Sequence, residues 1–143
     1  MAEQEDEFVL LEEFSAEHGK IIVLDNDEYS IWAFVLDAQT QEIEIDVFVC
    51  SLSQPFEDEE EVEQMIENGY SPAITTFFAS DSAVKPNALK SEFSVKWIED
   101  GWLELFMDDQ LVVMIDLDQE EAFTKAVCED GPYGLVFRDE LRE

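Results

Sequence analysis

Residues 42–50 read Glu-Ile-Glu-Ile-Asp-Val-Phe-Val-Cys, with an apolar residue at every second position. A side-chain period of two belongs to a β-strand, and one apolar face against one wet face belongs to a strand half-covered by a core. Ile43, Ile45, Val47 and Val49 are expected to face inward, and Glu42, Glu44, Asp46 and Phe48 outward. Shorter β-type runs surround this segment at residues 20–24, 30–36 and 73–79. Residues 8–14 read as a strand or an irregular packed segment. His18-Gly19 and Asp25-Asn26-Asp27 supply turn chemistry between the first runs.

Residues 92–98, 102–107 and 110–117 are apolar runs joined by Glu99-Asp100-Gly101 and Asp108-Asp109. Asp-Gly between apolar runs is a strong hairpin signal. The expectation is a three-stranded C-terminal meander in which residues 111–115, apolar on both faces, form a central strand. Residues 55–68 read as a helix: Pro55 suits the first turn, acids crowd the positive end of the dipole, and Asn68-Gly69 suits the C-terminal end. Residues 118–128 read as a second helix, capped by Asp118 with Glu121 three residues on, burying Ala122, Phe123, Ala126 and Val127. Residues 133–137 read as a last short edge strand. The expected fold class is α+β: a mainly antiparallel sheet with a three-stranded C-terminal meander and two helices packed on it. It spans residues 8–143 as one domain, after a disordered acidic N-terminus at residues 1–7.

Charge limits what such a domain meets. The chain has 37 acids against 7 bases, a formal net charge of −30. It is also 46% apolar with 11 Phe and 3 Trp, so the charge rides on a chain that has the residues for a core rather than on a disordered one. Thirty unbalanced carboxylates repel nucleic acid and anionic membranes, and attract cations and basic proteins. No apolar run reaches membrane-spanning length. Cys50 and Cys128 form no CxxC pair, which fits free thiols in a bacterial cytoplasm.

Signs of catalysis are sparse. His18 is the only histidine and cannot build a zinc site with two unspaced cysteines. A Cys–His dyad remains open only in that folding could bring the pair together. There is no GxSxG, HExxH or glycine-rich phosphate loop, and 5 glycines leave little for a backbone cradle. Carboxylate pairs are too abundant to single one out as a general acid and base. Neither Asp25-Asn26-Asp27-Glu28 nor residues 116–120 carries the glycine of a calcium loop. The expectation is no enzyme, no cofactor and no metal. Trp32, Trp97 and Trp102 read as packing residues, with an aromatic ligand groove as the alternative.

Two acidic arrays stand out. Glu42, Glu44 and Asp46 repeat about every 6.8 Å along one strand face, with Phe48 as an aromatic anchor on the same face. Glu57, Glu59, Glu60, Glu61 and Glu63 cover much of the first helix. Either array imitates a row of phosphates to a nucleic-acid-binding partner, or is simply solvated.

Trp97-x4-Trp102 around Asp100-Gly101, then residues 111–115, then Gly131-Pro132-Tyr133-Gly134, resembles small uncharacterised acidic bacterial proteins over residues 91–137. Some proteins of this size and charge are immunity partners of toxins; the resemblance itself implies no catalytic residue and no named activity. The leading expectation is a non-enzymatic binding protein for a basic protein partner, by inhibition or nucleic-acid mimicry. Next comes a domain that binds a small apolar ligand or self-associates as a homo-oligomer, and then an enzyme with an unrecognised carboxylate site.

Overall fold

The runs of the N-terminal half form consecutive antiparallel strands: β1 (Val9–Ser15), β2 (Lys20–Asn26), β3 (Ser30–Asp37) and β4 (Ile43–Ser51), in the order β1-β2-β3-β4. The second sheet runs β5 (Phe93–Ile98), β6 (Trp102–Met107), β7 (Gln110–Asp116), β8 (Glu121–Thr124) and β9 (Leu135–Val136), in sequence order. These come from a computed structural model, which describes residues 9–26, 30–52, 54–69, 73–81, 83–98, 101–131 and 133–137.

The sheets face each other across one core. Ile22, Leu24, Ala33, Val35, Ile45, Val47 and Val49 from the first meet Leu103, Leu105, Val113, Ile115 and Ala122 from the second. β4 approaches β8 and β1 approaches β5, so the sandwich is drawn together along both sides. The apolar residues 111–115 fit β7's position in the middle of its sheet, with neighbours on both edges.

Several expectations are overturned. The fold is mostly β rather than α+β, with one short α-helix among the described residues, α1 (Glu59–Glu67). The three-stranded C-terminal meander is not a unit of its own. β5, β6 and β7 are antiparallel, but β8 extends them and β9 adds a parallel edge, making a five-stranded mixed sheet. The second helix is absent. Asp116 Oδ1 accepts hydrogen bonds from the amides of Asp118 (3.1 Å) and Gln119 (3.2 Å), fixing a turn. Glu120 follows at φ 56°, a left-handed conformation that a right-handed helix cannot contain. Ala122, Phe123, Ala126 and Val127 are buried as expected, but β8 pairing with β7 and packing of the segment after it achieve that burial.

α1 starts at Glu59 because Asp58, in extended backbone, caps it by accepting from the Glu60 amide (2.9 Å). Pro55 therefore precedes the helix. Residues 73–79 form isolated bridges, Phe56 with Thr75 and Ala79 with Val127, around a turn, and not a strand. Residues 1–7 lie outside the described residues, as does Asp27 of the first expected turn.

Candidate functional site

Residues directly opposite on antiparallel neighbours share a sheet face, so register maps the outer face of the first sheet. One row is Phe14, Ile21, Leu36 and Ile43. The next is Glu12, Val23, Phe34 and Asp46, and beyond it come Asp25, Trp32 and Phe48. These rows have different fates. The third is covered: Trp32 and Phe48 pack with Ile74, Ala83, Ala126, Val127 and Tyr133 in a second apolar cluster. The first row is open. Phe14 is 62% and Ile43 60% exposed, and Ile21 and Leu36 between them are half-buried. In the second row the half-buried Val23 and Phe34 lie between two exposed carboxylates, Glu12 and Asp46. Of these two rows the covering layer reaches only Phe34, which packs against the second cluster, and the margin at Asp46, which leaves an apolar strip with acids at its margins.

Backbone bonds hold the covering layer along the β4 edge. Phe48 N donates to Tyr133 O (2.8 Å), Ser51 N to Ala83 O (2.7 Å) and Lys85 N to Ser51 O (2.8 Å). Phe48 meets Trp32 and Tyr133 edge-on at 5.5 and 5.6 Å.

Beside this cluster, under α1, is a cavity of about 290 Å³ lined by Trp32, Glu59, Val62, Glu63, Ile66, Thr75, Phe78 and Tyr133. Val62 is the helix's one buried residue, and Ile66 stays 47% exposed. Burial pushes the Tyr133 phenol above its ordinary pKa; the neighbouring Thr75 side chain opposes that shift and the Glu59 carboxylate adds to it. The phenol donates to Ala73 O at 2.8 Å. Thr75, 4% exposed, is left with its hydroxyl buried and without a hydrogen-bond partner among the described residues.

The sequence-predicted site residues scatter. Glu42 and Asp46 are exposed, but Glu44 is half-buried and ion-paired with Lys20. A register shift between Val35 and Leu36 breaks the simple alternation there and leaves Ile43, expected inward, exposed. Phe48 is 0% exposed, so it is no surface anchor. Glu57, Glu59, Glu60, Glu61 and Glu63 are all exposed on or just before α1, and Glu59 and Glu63 reach the cavity wall. The strand acids lie instead at a shallow depression where Glu44 and Asp46 meet Glu120 and Glu121. Sequence reading passes over the Phe14 row and Thr75. A signal for the row exists, since residues 21–24 and 31–36 are apolar at consecutive positions and must load both faces of the sheet.

The nucleophile candidates are engaged elsewhere. His18 donates from Nε2 to Ile98 O (3.1 Å), which leaves Nδ1 to accept from Ser15 Oγ (2.8 Å), and the ring stacks on Trp97 at 5.5 Å. Cys50 is buried in the main core, which pushes its thiol up to about 12 against a weaker pull from Lys85. Cys128 is exposed, with its sulfur near the Phe77 and Ala79 carbonyls (3.5 and 3.6 Å). Among the described residues no group of three or more His, Cys, Asp or Glu could hold a metal ion, and no helix is long and apolar enough to cross a membrane. Compared with known proteins, the chain matches no family model, no curated protein and no solved structure.

Proposed function

We propose that this chain is a binding protein for a basic protein partner, which it takes on the open rows of the first sheet. The observation that carries the reading is the strip itself. Phe14, Ile21, Leu36 and Ile43 offer flat apolar area, and Glu12 and Asp46 flank the adjoining Val23 and Phe34. Exposed apolar area supplies affinity, and marginal charge supplies steering and register. The net charge of −30 selects the sign of the partner. It also weighs against a second copy on this surface, because stacking two such faces sets the mutual repulsion of two acidic chains against the apolar area they would bury. Some small acidic proteins of this size are immunity partners of toxins, which fits a partner with a cationic surface of the kind that grips nucleic acid.

The test separates docking from general attraction. Phe14→Ser removes the exposed anchor and leaves the charge intact. Glu12→Lys with Asp46→Lys reverses the margins. Both changes are at exposed positions, so circular dichroism should stay unchanged. Capture of a basic protein from native lysate at low salt should fall at least tenfold with either variant, while adsorption of an unrelated basic protein should drop only with the charge reversal. Equal capture by wild type and Phe14→Ser would remove this strip as the site. Wild type capturing no basic protein at all would end the basic-partner reading.

A further inference from the structure

We propose that the cavity under α1 binds a small amphipathic amine, with its ammonium at the carboxylate mouth, an apolar ring in the middle and a hydrogen-bonding group at the floor. This goes beyond protein docking and rests on different residues. The cavity, about 290 Å³, lies at the small end of ligand sites and suits a one-ring compound rather than a nucleotide. Its walls are Trp32, Phe78 and Tyr133 together with Val62 and Ile66. Aromatic faces attract a cation as well as an apolar ring.

The charged groups in the wall have one sign. Glu59 and Glu63 line the cavity, and among the described residues no Lys, Arg or His does. Both glutamates are exposed, which puts them at the mouth, whereas Thr75 is 4% exposed, which puts it at the floor. An anionic ligand would meet two carboxylates with no counter-charge, and a purely apolar one would leave the floor unsatisfied.

Thr75 is the independent sign of a ligand. A buried hydroxyl without a partner costs free energy that folding alone does not repay, and native structures seldom keep one without a reason. The neighbour that comes near is Tyr133, which gives its proton to Ala73 O; its phenol oxygen lies close enough to Thr75 to feel that hydroxyl, but no hydrogen bond of normal geometry joins the two. A ligand hydroxyl or carbonyl reaching the floor supplies the missing partner. α1 covers the site with a single buried residue, Val62, and leaves Glu59, Glu63 and Ile66 at its open side.

Tyramine has all three parts and serves as the probe. Phenethylamine lacks the ring hydroxyl, and 4-hydroxyphenylacetate carries the opposite charge. Titrations are followed by the indole resonance of Trp32 in 15N spectra. Tyramine should bind about fivefold more tightly than phenethylamine, the worth of one net hydrogen bond, and at least tenfold more tightly than 4-hydroxyphenylacetate. Thr75→Val should erase the tyramine–phenethylamine difference while leaving phenethylamine binding unchanged. Ile66→Trp, a substitution at a half-exposed helix position, should block the cavity and abolish the Trp32 response. Three results would overturn the proposal: no Trp32 shift with tyramine, equal binding of the anion, or a tyramine response in Ile66→Trp equal to wild type. The last would mean that the acidic surface merely collects cations.

Discussion

Replacing Thr75 by valine should stabilise the unliganded protein. Valine nearly matches threonine in shape, so the change removes a hydroxyl and leaves the packing volume in place. The hydroxyl is buried at 4% exposure with no hydrogen-bond partner among the described residues. A group of that kind costs about 1–3 kcal/mol relative to one left in water. Imperfect methyl packing takes back part of this, so the expected gain is about 1 kcal/mol. For a chain of this length that is a rise in Tm of about 3 °C. Urea unfolding should show a higher midpoint at an unchanged slope, which marks a change in stability rather than in the denatured state. Tyr133→Phe is the companion measurement. It removes the donor to Ala73 O and should cost about 1–2 kcal/mol. The double variant should be additive within about 0.5 kcal/mol. If Thr75→Val instead loses 1 kcal/mol or more, or the two changes couple strongly, Thr75 is bonded to the Tyr133 phenol. The orphaned hydroxyl, and the inference built on it, would then fall.

Four further outcomes are expected. Folding gathers 30 unbalanced negative charges, so Tm at neutral pH should rise as NaCl increases from about 10 mM to about 500 mM, because the screening length falls severalfold; calorimetry showing a flat or falling Tm refutes this. Native protein treated with iodoacetamide should be modified at exposed Cys128 and spared at Cys50 by peptide mass spectrometry. Burial raises the Cys50 thiol from 9.0 to about 12, so the folded state holds a proton the unfolded chain releases. That contribution to stability is complete below pH 9 and is lost as pH climbs towards 12; a Cys50→Ala variant should therefore show a shallower alkaline decline. Gly131→Ala should destabilise by about 1–3 kcal/mol by overpacking, because its Cβ would sit 2.4 Å from the Phe78 ring; an unchanged urea midpoint would show that the ring turns aside freely.

The strands are legible where a short-range signal is unambiguous. Alternation at residues 43–49 and turn chemistry at Gly19 and Gly101 mark where strands begin and reverse. Residues 118–128 mislead because an N-cap, a glutamate three residues on and buried positions at helical spacing describe a helix as well as they describe a turn followed by a short strand. What decides between them is nonlocal: β7 offers Met114 and Ile115 to pair with Phe123 and Ala122. Asp116 also draws the following amides into a turn before a helix can start. The acidic strand face misleads for a related reason. Alternation gives the side of the sheet but not what covers it, and Phe48 is buried by Tyr133, far along the chain. Thr75 has no signal in the sequence, since an unpaired hydroxyl exists only relative to the groups the fold brings near.

Both candidate sites trace to one packing fact: the layer over the first sheet covers only part of the outer face. Where it covers Trp32 and Phe48, α1 fits loosely and leaves the cavity; where it stops, the rows from Phe14 and Glu12 lie open. The two sites meet on β3, where Trp32 of the cavity wall stacks on Phe34 of the open strip at 6.4 Å. Contact of this kind does not by itself couple them, because coupling needs an element with two arrangements that both ligands bias. β3 is held between β2 and β4 and offers none. α1 buries only Val62 and is the candidate for such an element, but the open rows lie on strands and include no residue of the helix. The sites should therefore act independently. Phe14→Ser should leave the tyramine titration unchanged within twofold, and Ile66→Trp should leave capture of the basic partner unchanged. If either variant disturbs the remote site, α1 reaches the strip in solution, and the helix acids join the partner surface.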